Sequence, residues 1–499
     1  MELATEIAIL GTGFGGTLTA LLLHRQGRRV VLIDRGRHPR FLIGESSTPI
    51  ADLVWQQLCT RYQLPRLEAL AKWGPWQREY PQLDCGLKRG FSYYRHHPDR
   101  HFEPNADHTN ELLIAASNHD DSADTHWYRP DFDQFLVSEA RREGIAVLEE
   151  TTLDAITGRE PWRLTGRHLD EPFALTAEFV IDATGEGSFL PRHLALSPQV
   201  ESLQTRSRSV YGHFTGVDLW GPEYVHRGGR TADHPFACDD AALHHVIDGG
   251  WMYVLRFRSG VTSAGFLLNL EHHADRAAWS AEAEWQWLLA RYPSIGRQFS
   301  RAETTPLCGP LRKTGRVQRR WSRCADRDWA LLPFTAYGLD ALHSTGNAHT
   351  LRGVERLADL LGTRWDHPDL APGLAHYDTQ LSREIDVLDQ VVAGCYQAFA
   401  DFRLFSSFAM LYFAGAIFSE VRRRQGKSGV HDDFLLANEP DYRNRLDRGV
   451  AELRQILSTG PVTAPRAEQF RQFIEREIAP YNMAGLCDPA RHNMYPYLD

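Results

Sequence analysis

The chain has 499 residues, enough for a large core and for two or three domains or one elaborate one. Its 42% hydrophobic and 24% charged residues are the balance of a soluble enzyme, and a net charge of -9 is too small at this length to recruit nucleic acid or an anionic membrane. Seven cysteines, odd in number and without CxxC spacing, argue against a disulfide framework and a structural zinc site, so a reducing cytoplasm is expected.

The first residues lack a basic n-region and run straight into a strand, so no signal peptide is expected. Residues 5–34 read as strand, glycine turn, helix with Leu18, Leu21 and Leu22 on one side, and strand, a βαβ unit. Gly11, Gly13 and Gly16 fit GxGxxG: tight turn, close backbone approach to a pyrophosphate, and helix packed on strand. Asp34 ends the second strand at the spacing of a carboxylate that accepts from an adenosine ribose hydroxyl. The motif alone does not choose between NAD and FAD. Two more strand-to-turn units, 176–192 with Asp182 at its turn and 328–346, are expected at the same sheet edge and suit an extended cofactor such as FAD. The first of these two could equally be a turn that touches no ligand.

Residues 85–97, "CGLKRGFSYYRHH", read as one strand, with Leu87, Arg89, Phe91 and Tyr93 on one face and Lys88, Gly90, Ser92 and Tyr94 on the other. Lys88 then either faces a polar cavity, where an ammonium can hold a reactive oxidant, or is a surface lysine shielding a strand edge. In the strand 249–257, Trp251, Tyr253 and Leu255 make an apolar wall and Arg256 points the other way. Residues 342–361 read as a helix with Leu351, Val354 and Leu357 toward the core and Ser344 or Thr345 as N-cap. The amides beyond that cap form an anion site for a halide or a cofactor carbonyl, or only a capped end. His343, in the same turn, reads as a solvent-facing residue or as one that approaches a substrate.

Beyond residue 375 the chain is helix-rich. Its most apolar segment, 402–418, includes an arginine and two serines, is short for a membrane span, and reads as a buried helix. The aromatics of 395–418, Phe405 among them, either wall a chamber for an aromatic substrate or pack a core. The 23 histidines include pairs at 96–97, 244–245 and 272–273 but no HExxH or similar spacing, so they read as surface or loop residues and no metal is expected.

Taken in order, the glycine fingerprint, "HPRFLIGESSTP" (38–49), the lysine of "GLKRGFSYY", "RPDFD" (129–133), "IDATGEGSFLPR" (181–192), "GGWMYVLRF" (249–257) and "LDALHSTG" (339–346) resemble the flavin-dependent halogenases. The likeness is to the pyrrole- and phenol-modifying branch, within the group-A flavin monooxygenase superfamily. It implies a mixed α/β fold: a Rossmann-like FAD domain (1–50, 128–192 and 325–365) interleaved with a substrate-side sheet domain (51–127 and 193–324), then a helical C-terminal region (366–499). It implies FAD used as FADH2 from a separate flavin reductase, which with oxygen and halide (chloride or bromide) yields hypohalous acid. Lys88 matches the lysine that relays this oxidant to an electron-rich aromatic small molecule, free or carrier-protein-bound.

The same resemblance places Gly44, Ser46, Arg129, Asp182, Asp340 and Gly346 at the cofactor and Ser344, Thr345 and Gly346 at the halide. Glu45 becomes a second catalytic candidate, for proton or halide handling, unless it is simply a helix-entry carboxylate. Trp251, Tyr253, His343 and Phe405 fall in the substrate chamber. The chain departs from the family where Trp-x-Trp-x-Ile-Pro reads Trp251-Met252-Tyr253-Val254-Leu255-Arg256, and where Gly-Asp is replaced by Pro333-Phe334. A flavin-dependent aromatic hydroxylase of the same fold without halide chemistry, and a flavin-binding protein that has lost catalysis, are the alternatives.

Overall fold

The computed structural model describes residues 1–498, so Asp499 of the expected helical region lies outside the described residues. A parallel sheet is built around Glu2–Leu10, with Val30–Ile33 and Glu171–Asp182 beside it and Ala146–Leu148 and Trp329–Leu331 beyond. Val30–Ile33 and the second half of Glu2–Leu10 are apolar and buried, as parallel strands covered on both faces must be. Leu10 pairs with Ile33 and Asp182, and Asp182 with Leu331. Four strands therefore stop at one line and release their turns on one edge, the place where open α/β sheets bind ligands. The helix Phe14–Arg25 leaves that edge with every residue from Phe14 to Leu23 buried. Its expected one-sided stripe is corrected to a helix covered all round, against Arg129–Arg142 and Thr345–Thr363.

The second sheet runs Glu303–Thr304, Ser207–Thr215, Thr262–Asn269, Gly250–Arg256, Ala242–Ile247, Gly90–Arg95, Glu111–Ala115 and Met494–Tyr495. Alternation sorts its side chains: Tyr93, Trp251, Tyr253 and Leu255 enter the main core, while Tyr94, Met252 and Val254 enter a second core with Trp220, Tyr224 and Trp285. Met494 and Tyr495 pair in parallel with Leu113 and Ile114, so the region beyond 366 is not helical throughout.

The stretch 85–97 is two strands, not one. Cys85–Lys88 pairs with Asp124–Trp127 in a separate ribbon, and Gly90–Arg95 belongs to the large sheet. Between them the Arg89 amide donates to the Asp240 carbonyl at 2.6 Å. Gly90 is required at the break because a Cβ there would lie 2.1 Å from the Ile114 carbonyl oxygen. The alternation predicted across residues 88–91 is lost, and Lys88 comes to lie over Phe91, 4.1 Å from the ring centroid. Arg89 turns outward to Asp120 at 2.7 Å.

Four long helices, Leu370–Ala398, Phe402–Arg424, Pro440–Ser458 and Ala464–Ile478, fill the C-terminal part. Phe402–Arg424 starts on Asp401, whose carboxylate accepts from the Arg403 amide at 3.0 Å, and ends on three arginines that suit the helix dipole. By length and composition it could cross a membrane, but 72% of its apolar window is buried within the fold. The paired histidines are corrected too: His96, His244, His245 and His273 are buried, and burial drives their pKa values down.

Candidate active site

At the ligand edge Gly11 takes a φ of +105°, and a Cβ there would meet the Ala183 carbonyl oxygen at 2.6 Å. A Cβ on Gly16 would lie 2.1 Å from the Gly11 oxygen, whereas one on Gly13 would meet nothing closer than the Arg129 guanidinium at 3.5 Å. The first and third glycines are thus demanded by the fold, and the second keeps a surface open in front of the helix amides. That cradle fits a pyrophosphate. Arg129 grips Asp133 at 2.9 and 2.7 Å and donates to the carbonyls of Ile43 and Gly44 at 3.0 and 3.1 Å, tying the next loop to the cradle.

The expected cofactor carboxylates are engaged by protein. Asp34 accepts from the Thr12 amide and hydroxyl at 2.8 Å and from Arg40 at 2.5 and 2.6 Å. Burial pushes its carboxyl up, but Arg40 and the backbone donors outweigh this and hold it at about 2. A ribose hydroxyl would therefore share this carboxylate with Arg40. Asp182 accepts from Thr184 and from the Leu190 amide and so builds its own turn. Asp340 accepts from Ser207, Tyr396 and Trp251 at 2.6, 2.8 and 3.1 Å, which anchors the substrate-side sheet rather than presenting a free acceptor.

The loop 44–48 lies against the start of Thr345–Thr363. Gly44, at φ +88°, faces Arg129 and Asn347, and the Asn347 amide donates to the Ser46 carbonyl at 3.2 Å. Ser344 is the cap residue but sits at φ +54° with no side-chain cap bond, so the expected hydroxyl cap is absent. A Cβ on Gly346 would meet no atom within 4 Å, so this helix start opens on space. The Ser46 and Thr48 hydroxyls are buried without a partner among the described residues, donors that a ligand would satisfy. Glu45 pairs with His213, Oε1 to Nε2 at 2.7 Å, both side chains fully buried. His213 stood on the polar face of its strand with Ser207, Ser209 and Tyr211, a signal that alternation could have revealed.

Lys88 is fully buried, which excludes the surface-lysine reading. Its ammonium donates to the Ser47 carbonyl, in the same loop as Gly44, Glu45 and Ser46. Asp124 is its cross-strand partner, and Lys72 holds Asp124 and Asp52 at 2.8 and 2.9 Å. Burial lowers the Lys88 pKa to about 8 against the opposing pull of Asp124 and Asp52. Lowered from 10.5, it disfavours the folded state below about 8, and that penalty fades as pH rises toward the unfolded value. Between pH 8 and 10 the stability of wild type minus Lys88→Met should therefore rise by about 1.4 kcal/mol per pH unit, measured by urea unfolding; a flat difference would contradict the shift. Asp124→Asn, which strips a buried ion network of one partner, should destabilise by about 3–5 kcal/mol in the same assay.

Beyond Phe91 the rings form one cluster. Tyr93 stacks on His244 at 4.3 Å and meets Phe405 at 5.4 Å, and His244 meets Trp251 at 5.2 Å. His343 stacks on Tyr412 at 4.3 Å, with Nδ1 3.3 Å from the Tyr93 hydroxyl and Nε2 3.4 Å from Cys395. It is buried, not solvent-facing, and burial lowers its pKa to about 3, so it stays neutral. The Tyr253 hydroxyl is buried beside Ser263. Arg256 is held by Asp239 at 3.3 Å and the Val217 carbonyl at 3.1 Å, away from the wall of Trp251, Tyr253 and Leu255. A cleft of about 890 Å³ opens nearby, lined by Glu186 of the 181–192 motif and by Tyr211, Cys308, Arg312, Gln318 and Arg319, which no motif marked. Tyr211 and Arg312 both pack on Phe41, which also meets His213.

The NAD(P)-binding Rossmann-like domain family matches residues 9–54. The monodechloroaminopyrrolnitrin halogenase PrnC of Pseudomonas fluorescens is 29% identical over 477 residues, 91% of this chain and 79% of that protein. Tetracycline 7-halogenase of Kitasatospora aureofaciens is 24% identical over 99% of this chain and 91% of its own length. Among solved structures, halogenase PltM in complex with phloroglucinol and FAD superposes with a TM-score of 0.86 at 22% identity, covering 98% of this chain and 99% of that one. Across nearly its whole length the chain is a homologue of the flavin-dependent halogenases.

Proposed function

We propose that the protein is an FAD-dependent halogenase acting on an electron-rich aromatic ring of phenol or pyrrole type. The observation that carries this reading is the placement of Lys88: fully buried, bonded to the 44–48 loop that flanks Arg129 and the Thr345 helix start, and resting on the first ring of the aromatic cluster. When bound, FADH2 supplies two electrons so that oxygen, halide and a proton give hypohalous acid and water. The glycine cradle and Arg129 would hold the cofactor, with Gly44, Ser46 and Gly346 at its reactive end. Asp34, Asp182 and Asp340 would position the surrounding turns and sheet. The discontinuous segments 1–50, 128–192 and 325–365 would carry the cofactor, and 51–127 with 193–324 the substrate side. Thr345 and Gly346, with Ser344, would offer backbone amides to the halide.

Lys88 would donate a hydrogen bond to the hypohalous oxygen and aim its halogen at the ring; the reaction forms carbon–halogen, breaks oxygen–halogen, and returns the ring proton as water. Glu45, paired with His213, is the candidate acceptor for that proton. Trp251, Tyr253, His343 and Phe405 would enclose the substrate. The partners of this reading are a separate flavin reductase and a small aromatic substrate, free or carrier-bound. Seven free, buried thiols support a reducing cytoplasmic setting. The test supplies protein, FAD, reductase, NADH and bromide or chloride with phenols, indoles and pyrroles, and reads halogen isotope patterns by mass spectrometry. Halogenated product supports the reading, and hydroxylated product alone across the panel would replace it with a hydroxylase.

A further inference from the structure

Outside this site, on the side of the large sheet that carries Tyr94, Trp220 and Tyr224, the chain brings His108, Glu111 and His234 together. One ligand atom from each lies within 4.8 Å of the others. Glu111 is fully buried at the start of the strand Glu111–Ala115, and the side chains of His108 and His234 are 2% and 3% exposed. Among the described residues, both ring nitrogens of His234 and Oε2 of Glu111 are buried without a hydrogen-bond partner, although His234 Nε2 and that oxygen are only 3.8 Å apart. Leaving such groups unsatisfied costs about 1–3 kcal/mol each, so the cluster calls for something between them.

We propose that His108, Glu111 and His234 bind a zinc ion that pins the segment before Ala242–Ile247 to the sheet edge. Tetrahedral zinc with bonds of about 2.0–2.1 Å sets its ligands about 3.3 Å apart, which the observed spacing reaches with small side-chain rotations. His108 Nδ1, now 2.5 Å from Glu111 Oε1, gives up the shared proton to the solvent and turns that lone pair to the metal. Its Nε2 then keeps a hydrogen bond to Asp233 Oδ2 at 2.7 Å, the carboxylate–histidine arrangement that orients a metal ligand. Tyr224 donates to Glu111 Oε1 at 2.8 Å and fixes the carboxylate from the other side. Two imidazoles and one carboxylate suit zinc, and a water completes the tetrahedron. The ligand set escaped motif reading because His234 lies far along the chain from His108 and Glu111.

The site stands apart from the reaction, so the test needs no turnover. Full-length protein is stripped with a chelator and titrated with Zn²⁺ against a chromophoric competitor, then with Co²⁺ for its visible spectrum. Wild type should bind one equivalent with a dissociation constant below about 1 μM, give the intense bands of tetrahedral cobalt, and gain thermal stability with zinc. His234→Gln should weaken binding at least about 100-fold and abolish the zinc-dependent shift, and Asp233→Asn should weaken it about 10- to 100-fold. Because His234 makes no hydrogen bond among the described residues and only ring contacts with His108 and Tyr224, the metal-free melting temperature of His234→Gln should fall only slightly from wild type, which separates loss of a ligand from loss of folding. No binding by wild type at 100 μM Zn²⁺ (about 100 times the expected constant), or equal binding by wild type and His234→Gln, would overturn the proposal.

Discussion

Lys88→Met should lower halogenation by about a thousandfold or more while the variant still binds FAD and consumes oxygen. Methionine fills nearly the same buried volume and removes the ammonium, so the strand Cys85–Lys88 keeps its packing over Phe91. What disappears is the only group of this strand able to hold the oxidant between the 44–48 loop and the rings. In the coupled reductase assay the variant should release free hypohalous acid, detectable with a soluble trap, in place of brominated or chlorinated product. A variant that retains wild-type product yield would show that the lysine is structural.

The second large effect falls on the cofactor. Gly13→Ala should leave folding intact and weaken FAD binding by about 10- to 100-fold, because its Cβ clears the protein, meeting the Arg129 guanidinium no closer than 3.5 Å, yet narrows the cradle in which a pyrophosphate would approach the backbone. Gly16→Ala should instead fail to fold or melt far lower, since its Cβ would collide with the Gly11 carbonyl at 2.1 Å. Flavin fluorescence titration and thermal unfolding distinguish the two. Equal FAD affinity for Gly13→Ala and wild type would remove the glycine turn from the cofactor site.

Much of this arrangement was legible in the chain because it is local. A glycine turn between two apolar strands, and aromatic alternation at Trp251, Tyr253 and Leu255, announce themselves within ten or thirty residues. The misreadings arise where partners are distant. Nothing in "CGLKRGFSYY" shows that the strand changes partner at Gly90, because the obstacle is the Ile114 carbonyl. His343 looked exposed in its turn, yet Tyr93 and Tyr412 arrive from other elements to bury it. Asp340 has a cofactor-like position but acquires donors from Ser207, Trp251 and Tyr396 that only the fold supplies, whereas Asp182 finds its donors within its own turn. The partnership of Glu45 with His213, 168 residues later, belongs to the same class.

Such distant pairing also bears on synthesis. The strand Glu111–Ala115 meets its outer neighbour, Met494–Tyr495, only after all the residues between them have been made, and the Leu113 amide waits for the carbonyl of Asn493. Until then a hydrophobic strand presents an open edge to the crowded interior of the cell. The docking of residues 493–495 is the step that covers that edge.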